Sequence, residues 1–170
     1  RVIIPALNIV GKDYETGKIF LPQLIQSAET TKKAFEVVKE TFSANDGEEK
    51  GPIIIATVEG DIHDIGKNIV KTLLENYGYD VLDLGRDVPA ETVVKAAQEH
   101  GVRLVGLSAL MTTTLGSMEE TICALRRAGL SCQVMVGGAV LTPEYAMHIG
   151  ADYYAKDAKQ SVDIAREVLG

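Results

Sequence analysis

Positive charge is scarce in this chain: 17 Lys and Arg stand against 24 Asp and Glu, a formal net charge of -7 over 170 residues. Binding a polyanion depends on clustered cations that release its counterions, and no stretch here collects more than a few. A nucleic-acid surface is therefore excluded. Long apolar runs are missing too. Residues 53–58 and 104–110 are strand-sized, far short of the roughly eighteen residues that span a bilayer, so no membrane partner is expected. The two cysteines, Cys123 and Cys132, form neither a CxxC motif nor a disulfide framework. They are expected to be incidental thiols in a reducing compartment, which places the protein in the cytoplasm. The start, Arg1-Val2-Ile3-Ile4-Pro5, has no initiator Met and leads into no signal-peptide core. It reads as the cut edge of a longer protein.

With 46% hydrophobic and 24% charged residues, the chain is expected to bury a sizeable core in one domain with a short appendage. From residue 52 onward, apolar runs alternate with amphipathic ones five times. Residues 52–58 read as a strand that is apolar on both faces, as a covered parallel sheet requires. Residues 64–77 follow as a helix, with Ile65, Ile69, Val70, Leu73 and Leu74 on one face and Gly78 just past the end. The same patterning predicts strands at 80–84, 103–107, 133–136 and 152–155, and helices at 90–100, 115–128, from 143, and at 158–169. The expected fold class is α/β: a flavodoxin-like (Rossmann-like) parallel sheet of five strands in the order 2-1-3-4-5, with helices on both faces. Ahead of it, residues 1–42 carry no strand signal, and 20–38 read as a helix with Pro22 in its first turn, where a missing N–H is harmless. Residues 43–51, with Asn45-Asp46-Gly47, read as a linker, and 52–170 as the α/β domain.

Open α/β sheets bind ligands beyond the carboxyl ends of their strands, and three loops stand at that edge. After the first strand comes Gly60-Asp61-Ile62-His63-Asp64-Ile65-Gly66-Lys67. It is not a P-loop, because five residues separate Gly60 from Gly66 where four are needed, and Asn68 stands where Ser or Thr would ligate magnesium. His63, two residues after Asp61, is open to two readings: a hydrogen-bonded loop histidine, or a metal ligand whose other N–H goes to the carboxylate. Catalytic zinc wants three protein ligands, and no second His or Cys lies nearby; a metal already held by a macrocycle needs one. After the third strand comes Ser108-Ala109-Leu110-Met111-Thr112-Thr113-Thr114, where Ser108 and Leu110 suit strand-end packing equally well. After the fourth comes Gly137-Gly138-Ala139, whose paired glycines admit a ligand or a neighbouring helix close to the backbone, or simply make a tight turn.

Taken together, Asp61-x-His63-x-x-Gly66, Ser108-x-Leu110 and Gly137-Gly138 on these three loops closely resemble the cobalamin-binding domain of methylcobalamin-dependent methyltransferases. Gly17-Lys18-Ile19-Phe20-Leu21-Pro22-Gln23 and Ser27-Ala28-Glu29 resemble the helical cap preceding that domain in cobalamin-dependent methionine synthase and in the corrinoid proteins of methyltransferase systems. The resemblance implies that residues 1–42 are the second half of a four-helix cap. It implies a cobalamin or related corrinoid as cofactor, alternating between methylcobalamin and cob(I)alamin, bound base-off with its nucleotide tail in the α/β domain. His63 would be the lower cobalt ligand, Asp61 its hydrogen-bonding partner, and Thr114 the end of a proton relay where the family carries Ser. Asp64, Gly66, Ser108, Leu110, Thr112, Gly137, Gly138 and Ala139 would contact the cofactor. Phe20, on the cap, would shield the upper face from water. The implied function is a methyl carrier, not a complete enzyme alone, that visits partner methyltransferase modules on the donor and acceptor sides and is served by a reactivation system. Two alternatives stand beside it: the cobalamin domain of an adenosylcobalamin mutase, against which the cap-like helix counts, and a corrinoid-dependent sensor. His100 and His148 have no partner at ligand spacing and read as surface residues, Met111 and Met118 as core filling.

Overall fold

The computed structural model describes residues 3–42 and 50–170. The chain divides into two compact units, Arg1–Asn45 and Asp46–Gly170. In the first, helix α1 (Ile3–Glu15) packs against α2 (Leu21–Phe42). At the turn between them the Phe20 N–H donates to Gln23 Oε1 at 2.7 Å. This is the returning half of a capping box, which satisfies a donor that the helix itself leaves orphaned. Helix α2 runs to Phe42, past the expected end at residue 38. Nothing between Val38 and Phe42 breaks a helix, and the first turn signal is Asn45-Asp46-Gly47. Of the expected linker, residues 43–49 lie outside the described residues.

The second unit alternates strands and helices: β1 (Lys50–Thr57), α3 (Ile65–Asn76), β2 (Tyr79–Asp83), α4 (Ala90–His100) and β3 (Leu104–Ser108). A 3-10 turn (Thr112–Thr114) then leads into α5 (Leu115–Arg127), followed by β4 (Gln133–Gly137), α6 (Pro143–His148), β5 (Tyr153–Tyr154) and α7 (Ala158–Leu169). The strands are parallel and ordered β2-β1-β3-β4-β5, the flavodoxin-like order expected from the sequence. Strand β1 is an interior strand, paired on both sides, although it contains Pro52. The ladder shifts between Lys50 and Pro52, so the missing N–H falls at an irregularity near the strand's start, where proline is tolerated.

Alternation along the strands builds two apolar layers. Ile54, Ala56, Val105, Leu107, Val134 and Val136 face α4 and α5, where Val93, Met118, Ile122 and Leu125 meet them. Ile53, Ile55, Leu104 and Met135 face the other way, against Leu74 of α3 and Val162 and Ala165 of α7. Each of the Val, Leu, Ile and Met side chains contributes about 1.5–3 kcal/mol by leaving water, which is why both faces must be covered. The chain passes from β1 through α3 to β2 on one side, then crosses by α4 to β3 on the other. The strand order therefore reverses between β1 and β3, and beyond their carboxyl ends opens the crevice in which this class of sheet binds ligands.

Gly138 holds one wall of that crevice. Its φ is 144°, and a Cβ there would lie 1.8 Å from the carbonyl oxygen of Ala109. Gly66, on α3, has nothing within 4 Å of a Cβ. Urea unfolding is expected to show Gly138→Ala destabilised by roughly 3 kcal/mol or more. Gly66→Ala is expected to be neutral or stabilised by about 0.5 kcal/mol. Equal effects at the two positions would contradict this packing.

Candidate functional site

The loop of residues 58–64 joins β1 to α3 at the crevice, and the segment after β2 braces it. Asp87 Oδ1 accepts from the Gly60 N–H at 2.7 Å, while the Asp87 N–H donates to the Asp61 carbonyl at 3.0 Å. These reciprocal bonds require Asp87 to adopt φ 54°, a left-handed conformation that Asp tolerates better than most residues. Lower down, Asp83 at the end of β2 accepts from Lys67 Nζ at 2.5 Å, Lys71 Nζ at 3.3 Å and the Gly85 N–H at 2.9 Å. Burial alone would push the Asp83 carboxyl up, but Lys67, Gly85 and Lys71 hold it below the usual carboxylate range. The buried Lys67 thereby ties the first turn of α3 to β2.

Asp61 stands at the centre. Its side chain is fully buried, and five donors converge on its two oxygens. Oδ1 accepts from the His63 N–H and from His63 Nδ1, both at 2.9 Å. Oδ2 accepts from the Leu110 N–H at 2.7 Å, the Met111 N–H at 3.2 Å and Thr114 Oγ1 at 3.0 Å. Burial acts to raise the carboxyl's pKa. The backbone N–H groups of His63 and Leu110, the His63 ring and the Thr114 hydroxyl outweigh it and hold Asp61 well below the ordinary carboxylate range.

An ionised carboxylate accepts and cannot donate, so the ring nitrogen facing it must carry a hydrogen. His63 is thereby fixed with Nδ1 as donor, which leaves the Nε2 lone pair as the ring's free base. The His63 side chain is 46% exposed, so that lone pair is presented at the surface of the crevice. Ile62, Ile65 and Leu110, exposed by 60%, 64% and 42%, surround the loop with apolar surface. Thr114 Oγ1 also lies 2.9 Å from the Met111 carbonyl. With one hydrogen to give, the hydroxyl donates either to Asp61 or to that carbonyl.

The structure thus brings together Asp61, His63, Leu110 and Thr114 from two loops separated by about fifty residues of chain. Ser108 pairs in register with Gly137, and the Ala109 N–H donates to the Gly137 carbonyl at 3.2 Å. The space that Gly137 and Gly138 leave is taken here by backbone, the Ala155 carbonyl for one and the Ala109 carbonyl for the other. Asp64 is the residue before α3 and makes no side-chain cap. Thr112, at the start of the 3-10 turn, and Ala139, in the turn after β4, are exposed. Phe20, 72% exposed, belongs to the first unit. His100 and His148 are exposed and Met118 is fully buried, as expected; Met111 is half-buried. Sequence reasoning missed Asp83 and Asp87, whose roles rest on contacts across the sheet edge. The one available signal was an acidic residue at the end of an apolar strand.

Among the described residues no cluster of three His, Cys, Asp or Glu is placed to hold a metal ion by itself. What the chain offers is one imidazole of fixed tautomer, a nitrogen donor suited to cobalt, ringed by apolar surface and with open space at Gly66. That donor set fits a corrinoid, whose macrocycle fills the metal's other positions. The B12 binding domain family matches residues 51–163, and a second B12 binding domain model matches residues 1–39. The chain belongs to the B12-binding family. Its cofactor is cobalamin or a related corrinoid. Dimethylamine corrinoid protein 1 of Methanosarcina acetivorans is 43% identical over 166 residues, which cover 96% of this chain and 78% of that protein. The solved monomethylamine corrinoid protein of Methanosarcina barkeri superposes with a TM-score of 0.84 at 37% identity, covering 98% of this chain and 80% of that one. The methanol:cobalamin methyltransferase complex MtaBC from Methanosarcina barkeri matches at a TM-score of 0.69 and 35% identity, covering 98% of this chain and 64% of that one. Among the described residues no helix is long and apolar enough to cross a membrane.

The Asp61 carboxyl makes stability depend on acid in a defined sense. Its folded pKa lies below the ordinary carboxylate value of 3.8, so its contribution is complete above that pH and is lost as pH falls toward the folded value. Asp61→Asn, which cannot titrate, is expected to be less stable than the wild type by about 2–4 kcal/mol at neutral pH. The gap should narrow as urea unfolding is repeated down to about pH 3. Parallel stability curves for the two proteins would contradict the assignment.

Proposed function

We propose that this chain is the corrinoid-binding methyl carrier of a methyltransferase system, with His63 as the lower ligand of cobalt. The observation that carries the reading is the Asp61–His63 pair at the crevice, which leaves Nε2 as an exposed base of fixed tautomer. When bound, the corrinoid supplies a cobalt that accepts and gives up a methyl group. The chain's own residues do the rest. Asp61 orients the imidazole and fixes its tautomer. Nε2 either ligates or binds a proton, so ligation and protonation compete for one lone pair. Thr114, by donating to Asp61 or turning to the Met111 carbonyl, adjusts how much charge the carboxylate presents to the ring.

Ser108, Leu110, Gly137 and Gly138, with Asp64, Gly66, Thr112 and Ala139 at the rim, form the slot for the nucleotide tail in this reading. Residues 1–42 serve as part of a helical cap, with residues 43–51 as a linker and 52–170 as the cofactor domain. The match of residues 1–39 to a B12 binding domain model supports that role, as does the exposure of Phe20, an aromatic available to shield a methyl group. Relatives named as methylamine corrinoid proteins, and one solved in a methanol:cobalamin methyltransferase complex, favour methyl transfer over the mutase and sensor alternatives. The partners are then methyltransferase modules on the donor and acceptor sides and a reactivation system, all in the cytoplasm.

The test is the visible spectrum of the full chain after incubation with hydroxocobalamin and desalting, run beside His63→Ala. The expected result is corrinoid retained by both proteins, with the histidine-ligated spectrum lost in the variant. Identical spectra would remove His63 as the ligand, and a colourless wild type would overturn corrinoid binding.

A further inference from the structure

Thr57 closes β1 and has no part in the site described so far. It is fully buried, and its Oγ1 is the one buried side-chain polar atom among the described residues without a hydrogen-bond partner. An unpaired buried hydroxyl costs about 1–3 kcal/mol, so keeping one here calls for a partner that the chain itself does not supply.

Its position indicates where that partner enters. Thr57 pairs in register with Ser108, and Ser108 with Gly137, so the three form a lateral row across β1, β3 and β4 at the carboxyl edge. Alternation puts the row on the same face as Ile55 and Met135, the face covered by α3 and α7. One layer below, Ile55 Cγ2 and Met135 Cε each lie 3.3 Å from where a Cβ on Gly106 would be. Those two side chains make an apolar floor. Ser108 and Gly137 are half-buried whereas Thr57 is closed off, so the row is open at β3 and β4 and dry at β1.

We infer that Thr57 is a further cofactor-binding residue, whose hydroxyl donates to an uncharged acceptor, a ring nitrogen or sugar oxygen, in the nucleotide tail of the corrinoid. The inference rests on the corrinoid reading and on the assignment of Ser108 and Gly137 to that tail. The dry end does not suit the tail's phosphate. Burying an anion without a partner costs several kcal/mol, and the row offers two hydroxyls and a glycine but no cation.

Two substitutions separate hydrogen bonding from packing: Thr57→Val keeps the shape and loses the hydroxyl, and Thr57→Ser keeps the hydroxyl and loses a methyl. Equilibrium dialysis of the full chain against hydroxocobalamin is expected to give a Kd raised about tenfold for Thr57→Val and within about threefold of the wild type for Thr57→Ser. The melting temperature of the ligand-free Thr57→Val protein should match or exceed that of the wild type, since an orphan hydroxyl has gone. All three proteins should behave alike toward cobinamide, a corrinoid without the nucleotide. Wild-type affinity for hydroxocobalamin in Thr57→Val, a loss in Thr57→Ser as large as that in Thr57→Val, or a parallel loss toward cobinamide would overturn the assignment. A wild type that binds no hydroxocobalamin would overturn the corrinoid reading itself and this inference with it.

Discussion

A buried negative charge organises the crevice. Taking a carboxylate out of water is tolerable only when other donors replace its hydration, and Asp61 finds five of them on segments that β1 and β3 deliver to the same edge. Charge-assisted bonds of this kind are about twice as strong as neutral ones. They settle three matters together: the path of the 58–64 loop, the position of the segment after β3, and the tautomer of His63. The His63 ring and the local fold are therefore held by one set of contacts.

The glycine pair after β4 enters the same network by a less direct route. Gly138 allows β4's loop to come against the Ala109 carbonyl, and Ala109 immediately precedes the two N–H groups that reach Asp61 Oδ2. A side chain at 138 would press on the segment that supplies those donors. Separate sequence signatures on three loops thus converge physically on one carboxylate. Asp87 and the Lys67–Asp83 pair complete the arrangement from the β2 side.

Much of the fold was legible in the sequence because both sheet faces are covered. Runs such as Ile53-Ile54-Ile55 can be read as buried strands without knowing their neighbours, and α4 and α7 fall at the bounds that their amphipathic periods suggest. Element ends were less legible. Strand β1 begins at Lys50 because a ladder shift accommodates Pro52, and β5 shrinks to Tyr153–Tyr154, since pairing with β4 sets its length. Within the site, Asp61 and His63 lie two residues apart and could be read as a pair. Thr57 and Asp87 could not, because an unsatisfied hydroxyl and a bond from residue 87 to residue 60 exist only once the sheet has formed. Leu110 is instructive in the same way: its spacing suggested a side-chain role, while its clearest contact here is a backbone N–H donated to Asp61.

The central claim is that Asp61 sets the histidine tautomer before any cofactor arrives, and the most direct measurement of it is the nitrogen NMR spectrum of His63 in the ligand-free protein labelled with 15N. With the ring in its neutral form, two-bond proton–nitrogen correlations should show the hydrogen on Nδ1 and Nε2 bare. A His63 ring with its hydrogen on Nε2, or one that exchanges between the two forms like a free imidazole, would contradict the account.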